Sequence, residues 1–178
     1  MKINKLNEGT LDPENERLRD IAKNYVKCLK KLQWFHVRSK IRPLEYCSEV
    51  KLTSKKYIPG TDNTTLNVSI TIFSDDIIIT IDSFPHDTGY EYIFSIVDKI
   101  NNQFSDYNLH TDQNWFTRWH YITSEFIKLK GIDDSSTVDE IVDALDREIT
   151  PALEIIDDIF NDNYKQFELD WKDLKYED

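Results

Sequence analysis

Residues 66–84 read LNVSITIFSDDIIITIDSF, and the fold turns on them. Leu66, Val68, Ile70 and Ile72 alternate with Asn67, Ser69 and Thr71, the period of two that gives a strand one buried face. Beyond Ser74, Asp75 and Asp76, the residues Ile77, Ile79 and Ile81 resume the alternation with β-branched side chains, which suit a pleated and packed surface. Two such runs around a short polar turn predict an antiparallel hairpin with a flat apolar face for helices to cover.

On the N-terminal side, Tyr46, Ser48, Val50 and Leu52 alternate with Cys47, Glu49 and Lys51 and predict a preceding strand. Residues 55–65 form a loop around Pro59, Gly60, Thr61, Asp62 and Asn63. Residues 34–43 read as a connector ended by Pro43, in which Arg38, Lys40 and Arg42 alternate. Before it, Asp12 caps a helix that opens on Pro13 and Glu14. Its apolar stripe is Leu18, Ile21, Ala22, Tyr25, Val26, Leu29 and Leu32.

On the C-terminal side, Asp87 or Thr88 is placed to cap a second helix with the wide stripe Tyr90, Ile93, Phe94, Val97, Ile100 and Phe104. Residues 107–111 and 115–126 predict a second hairpin turning at Asp112, Gln113 and Asn114. Its longer strand carries Trp115, Thr117, Trp119 and Tyr121 on one face, and Phe116, Arg118, His120 and Ile122 on the other. The first set is expected inward because it lacks charge. Thr137 and Glu140 then form a capping box for a long helix, which Pro151 should kink near residues 147–150. Residues 167–178 form a short amphipathic tail. The order α-βββ-α-ββ-α predicts an α+β fold, an antiparallel five-stranded sheet with helices on one face. No change in composition divides residues 1–178, so one domain is expected.

That order, with LNVSITIFSDDIIITIDSFP (66–85), IVDKINNQFSDYNLHTDQNWFTRWHYI (96–122) and STVDEIVDALDREITPALEIIDDIF (136–160), resembles the YbjN-like family of bacterial sensory transduction regulators. That family is similar in fold to type III secretion chaperones. The likeness runs from Val26 onward as a pattern of apolar positions and element lengths. It implies a non-catalytic domain that binds another protein, regulator- or chaperone-like, with a homodimer as one form, and it supplies no catalytic residues. The aromatic residues of the fourth and fifth strands are the expected partner surface: Phe116, Ile122 and Phe126, or Trp115, Trp119 and Tyr121, according to which face is out.

Chemical motifs are sparse. His36, His86, His110 and His120 show no metal-ligand spacing. Asp75 and Asp76 occupy a turn that favours Asp for its backbone geometry. Cys28 and Cys47 make no disulfide framework and read as reduced thiols of a cytoplasmic protein. With four glycines there is no phosphate loop, and no serine sits in a nucleophile elbow. The expectation is therefore no enzyme, no cofactor and no metal. No apolar run reaches the length of a membrane span, and none follows the first residues to make a secretory signal.

Charge is segregated. Residues 133–178 hold sixteen acidic and four basic residues, while residues 17–56 hold twelve basic and three acidic ones, within a net charge of −11. An acidic chain repels a polyanion overall, so nucleic acid is not expected as a partner. The acidic end instead suggests an alternative function, an immunity- or antitoxin-type inhibitor of a basic toxin. A further expectation is that Asp139, Asp143, Asp146, Asp157 and Asp158 lie near Lys23, Lys27, Lys30 and Lys31.

Overall fold

The central hairpin forms as the alternation requires. In a computed structural model, which describes residues 12–74, 76–84, 89–113 and 120–173, strand β3 (Thr65–Ile72) pairs antiparallel with β4 (Asp76–Phe84). The register sets Ile70 against Ile79 and Val68 against Ile81. All four are at most 2% exposed, so the hairpin's apolar row is the floor of the core. The register is well specified, because a slip of one residue would turn every isoleucine to the other face.

Among the described residues the sheet is antiparallel with seven strands, not the expected five. Its order is β1-β2-β3-β4-β6-β5, with β7 also on β4. The strand missed at the start is β1 (Phe35–Arg42), which covers most of the expected connector and pairs along its whole length with β2 (Cys47–Ser54). Phe35, Val37, Ser39 and Ile41 point inward and His36, Arg38, Lys40 and Arg42 outward, an alternation hidden by its charges. Tyr46, expected as a strand residue, instead takes a left-handed conformation in the turn before β2.

Helix α1 (Pro13–Cys28) begins on the expected cap, Asp12 accepting from the Asn15 amide at 2.9 Å. It lays Leu18, Ile21, Ala22 and Tyr25 over β1 and β2. Helix α2 (Tyr90–Gln103) starts from Gly89, and the expected capping residues Asp87 and Thr88 lie outside the described ones. Gly89 has a positive φ of 73°, and a Cβ there would meet Ile58 Cδ1 at 3.0 Å. Conformation and close approach both call for glycine.

Strand β5 (His110–Gln113) begins later than expected, because residues 105–107 form a helical turn that buries Tyr107 against Phe104. It pairs with β6 (His120–Thr123). The single long strand expected over 115–126 does not persist to its end. β6 stops at Thr123, and β7 (Ile127–Lys128) resumes on β4.

Continuing the Thr80–Thr123 register would bring Phe126 opposite Ile77, yet Ile127 stands there. One residue is extra, a bulge held by Ser124. Its amide donates to Ile79 O at 2.8 Å, and its Oγ accepts from the Ile79 amide at 2.9 Å.

The capping box forms at the start of α3 (Val138–Glu148), with Glu140 reaching back to the Thr137 amide at 2.7 Å. The helix breaks at Ile149, where Pro151 predicts it. Pro151 then occupies the first turn of α4 (Thr150–Asp173), where its missing N–H costs nothing. Residues 167–173 continue α4, so that part of the expected tail is not a separate element. Buried side chains of the four helices join the inward rows of the sheet in one hydrophobic cluster.

Candidate functional site

The outward side chains of the sheet form a second surface with a different chemistry. Along β2, β3 and β4 they are Cys47, Glu49, Lys51, Thr53, Thr65, Asn67, Ser69, Thr71, Asp76, Ile78, Thr80, Asp82 and Phe84, polar except for Cys47, Ile78 and the exposed Phe84. Most are half-buried, whereas their inward neighbours are nearly inaccessible. Thr53 Oγ1 donates to Asn67 Oδ1 at 3.0 Å, tying two strands across this face. Short hydroxyl side chains keep the face flat, so a docking partner meets few long side chains to order.

The charged part lies at the β1 edge. The four outward positions of β1 are His36, Arg38, Lys40 and Arg42, and Lys51 joins them opposite Arg38. Arg42 is engaged by Glu49 at 2.8 Å and Glu45 at 3.2 Å. The bond to Glu49 is the main reason its pKa is raised.

Burial alone would raise the Glu49 pKa. The bonds from Arg42 and Ser69, with the fields of Arg42 and Lys51, outweigh it and hold the carboxyl below its ordinary value. Arg38, Lys40 and Lys51 form no ion pair among the described residues. Together with Ser39, Arg42 and Glu49 these cations line a shallow depression of about 480 Å³.

The aromatic surface expected from the sequence is distributed differently. Ile122 is 1% exposed and faces the core opposite Ile81, so it is not a contact residue. Tyr121 faces outward, contrary to the expected inward set. It is half-buried and donates to Asp112 Oδ2 at 3.0 Å. Burial, then the bond and charge of Asp112, push the phenol up. Phe126 is 61% exposed and rests beside Phe73, with ring centroids 5.7 Å apart. The bulge at Ser124 separates Ile122 from Phe126, which simple alternation had grouped together. Trp115, Phe116 and Trp119 lie outside the described residues. Arg38, Lys40 and Arg42 were legible as an alternating basic set, though not as part of a sheet face.

His36 is on β1 and His110 on the opposite edge strand, where its Nδ1 contacts Asn108 O at 2.8 Å. Cys28 and Cys47 are free, and burial foremost pushes both thiols up, away from the reactive thiolate form. Among the described residues no three His, Cys, Asp or Glu side chains are grouped to hold a metal ion. Among them, too, no helix is long and apolar enough to cross a membrane.

Helix α1 packs against α3, and the ion pairs between the acidic helices and the basic first segment centre on Lys31 among the described residues. Lys31 Nζ lies 2.9 Å from Glu154 and 3.7 Å from Asp146, bridging α4 and α3. Asp157 accepts from the Gln33 and Trp34 amides at 2.9 and 2.7 Å, fastening the entry of β1 to α4. Lys23, Lys27 and Lys30 make no ion pair among the described residues, and Asp139, Asp143 and Asp158 are exposed. The expected contact is therefore made by Lys31 with Asp146, while the neighbouring carboxylate Asp157 works through backbone amides. No protein-family model, curated protein or solved structure matches the chain.

Proposed function

We propose that the chain is a non-catalytic protein-interaction module, regulator- or chaperone-like, that binds another protein through the outer face of its sheet. The observation that carries this reading is the contrast between the two faces. The helices pack on the inward rows, while the outward rows offer a flat hydroxyl-rich surface whose edge carries Arg38 and Lys40, without ion pairs among the described residues. Such a surface favours recognition by hydrogen bonds and charge, with Tyr121 and Phe126 as aromatic contacts near its other side. The YbjN-like pattern of residues 66–85 and 96–122 supports the same class of role.

The test is site-specific photo-crosslinking in the native host. A photoreactive residue at Thr80, on the outer face, should give a discrete protein adduct. The same group at Asp143, on the helix layer, should not. An adduct at Asp143 alone would overturn the proposal in favour of the acidic inhibitor, whose supporting observation is the exposed set Asp139, Asp143 and Asp158. An adduct whose mass is twice that of the chain would make the partner a second copy.

A further inference from the structure

Among the described residues β1 ends the sheet, with no strand beside one of its two edges. Its eight residues contain no proline, and alternate N–H and C=O groups along that free edge are available to a further strand. What distinguishes this edge is the row its side chains make. His36, Arg38 and Lys40 are exposed and Arg42 half-buried, all on the outer face. Residues two apart along a strand are separated by roughly 7 Å, and a strand added beside β1 repeats that spacing in register. Each of its outward side chains would stand about 5 Å from one member of the row.

The other face of an added strand would also meet positive charge. Between α1 and β1 runs a groove of about 310 Å³ lined by Arg19, Ala22, Lys23, Ser39, Lys40 and Ile41. Arg19 is held by Asp20 at 3.3 Å and Glu16 at 4.0 Å. Lys23 has no ion pair among the described residues. The edge thus repels a second β1, whose own row would place like charges directly opposite, and attracts a strand of the opposite sign.

We propose that the β1 edge binds an acidic, extended segment of a protein partner by strand addition, with Asp or Glu two residues apart facing Arg38 and Lys40. This inference rests on the reading of the outer face as a protein-binding surface and names what that surface takes. Backbone pairing supplies the docking geometry, and the alternating carboxylates supply the selection. A single-stranded nucleic acid would also meet the cations. It would want aromatic platforms beside those cations for its bases, and the outward side chains of β1 and β2 include no Phe, Tyr or Trp.

The experiment measures binding of a fluorescent peptide as long as β1, alternating Glu with Thr, to the full chain by anisotropy. Two further peptides carry N-methyl groups on one or the other alternate set of amides, and an oligothymidylate serves as a plain polyanion. The alternating peptide should bind with an affinity that falls as salt rises. Methylation of one amide set should abolish binding and of the other should spare it, because only one set points toward β1. The double variant Arg38→Gln/Lys40→Gln, which removes exposed charges and should melt like the parent, should bind about tenfold more weakly.

Absence of peptide binding, equal binding of both methylated peptides, or oligothymidylate binding as tightly as the peptide would each overturn the inference. Crosslinking at Thr80 in the double variant separates the two proposals. An adduct that persists there leaves the outer face as the partner surface and removes the β1 edge from it.

Discussion

Ser124 shows how much one side chain can redirect. By alternation alone Ile122 and Phe126 share a face, and the bulge puts one in the core and the other in solvent. Serine suits the position because its hydroxyl accepts the Ile79 amide that the interrupted ladder would otherwise leave bare. Replacing it with alanine should leave that buried N–H unsatisfied and cost about 1–3 kcal/mol, read as a lower urea midpoint at unchanged slope. A variant that melts like the parent would show that the bulge holds itself.

Glu49 supplies a second test at this scale. Its folded pKa is lowered from an ordinary value of 4.5, so its contribution to stability is complete above that value. It is lost as pH falls through the folded value. The stability difference between the parent and Glu49→Gln should therefore be widest above pH 4.5 and close on acidification, as followed by urea melts across that window.

Among the elements, the hairpin and α3 were legible because each carries its own signal. Uninterrupted alternation marks β3 and β4, and a reciprocal cap marks α3. β1 was missed because its outward positions are charged and its inward ones include Ser39. The alternation of Phe35, Val37 and Ile41 therefore looked like a polar connector before a proline. What makes β1 a strand is tertiary: pairing with β2 along its length and cover by α1. Its entry is fixed from far along the chain by Asp157, whose carboxylate holds the Gln33 and Trp34 amides. Asp157→Ala should cost about 1–3 kcal/mol, since bonds to a charged acceptor are the stronger kind. Hydrogen exchange should quicken at Gln33 and Trp34 more than in β3. Uniform loss of protection would instead mean that Asp157 supports the whole core and not this junction.

For the whole molecule, charge segregation divides labour between the two layers. The sequence places basic residues early and acidic ones late, and the expectation was a broad contact between them. The structure narrows it to Lys31, whose pKa is raised foremost by its bond to Glu154. Lys23 and Lys27 on α1, Lys30 beyond it, and Arg38 and Lys40 on β1 are left without ion pairs among the described residues, while Asp139, Asp143 and Asp158 stand exposed on α3 and α4. That separation could not be read from sequence counts, because it depends on which face each strand residue takes, and β1's faces were not assigned.

A single substitution therefore ought to reproduce what a broad contact would need four to show. Lys31→Ala should lower stability at low salt by no more than about 1 kcal/mol, as fits a half-exposed pair, and the loss should shrink as salt screens it. Lys23→Ala, Lys27→Ala and Lys30→Ala combined should leave the low-salt melt unchanged or raise it slightly. If the triple variant destabilises more than Lys31→Ala does, the helices are held by a diffuse field and not by one bridge. The cations near α1 would then belong to the fold, and Lys23 would be removed from the proposed docking edge.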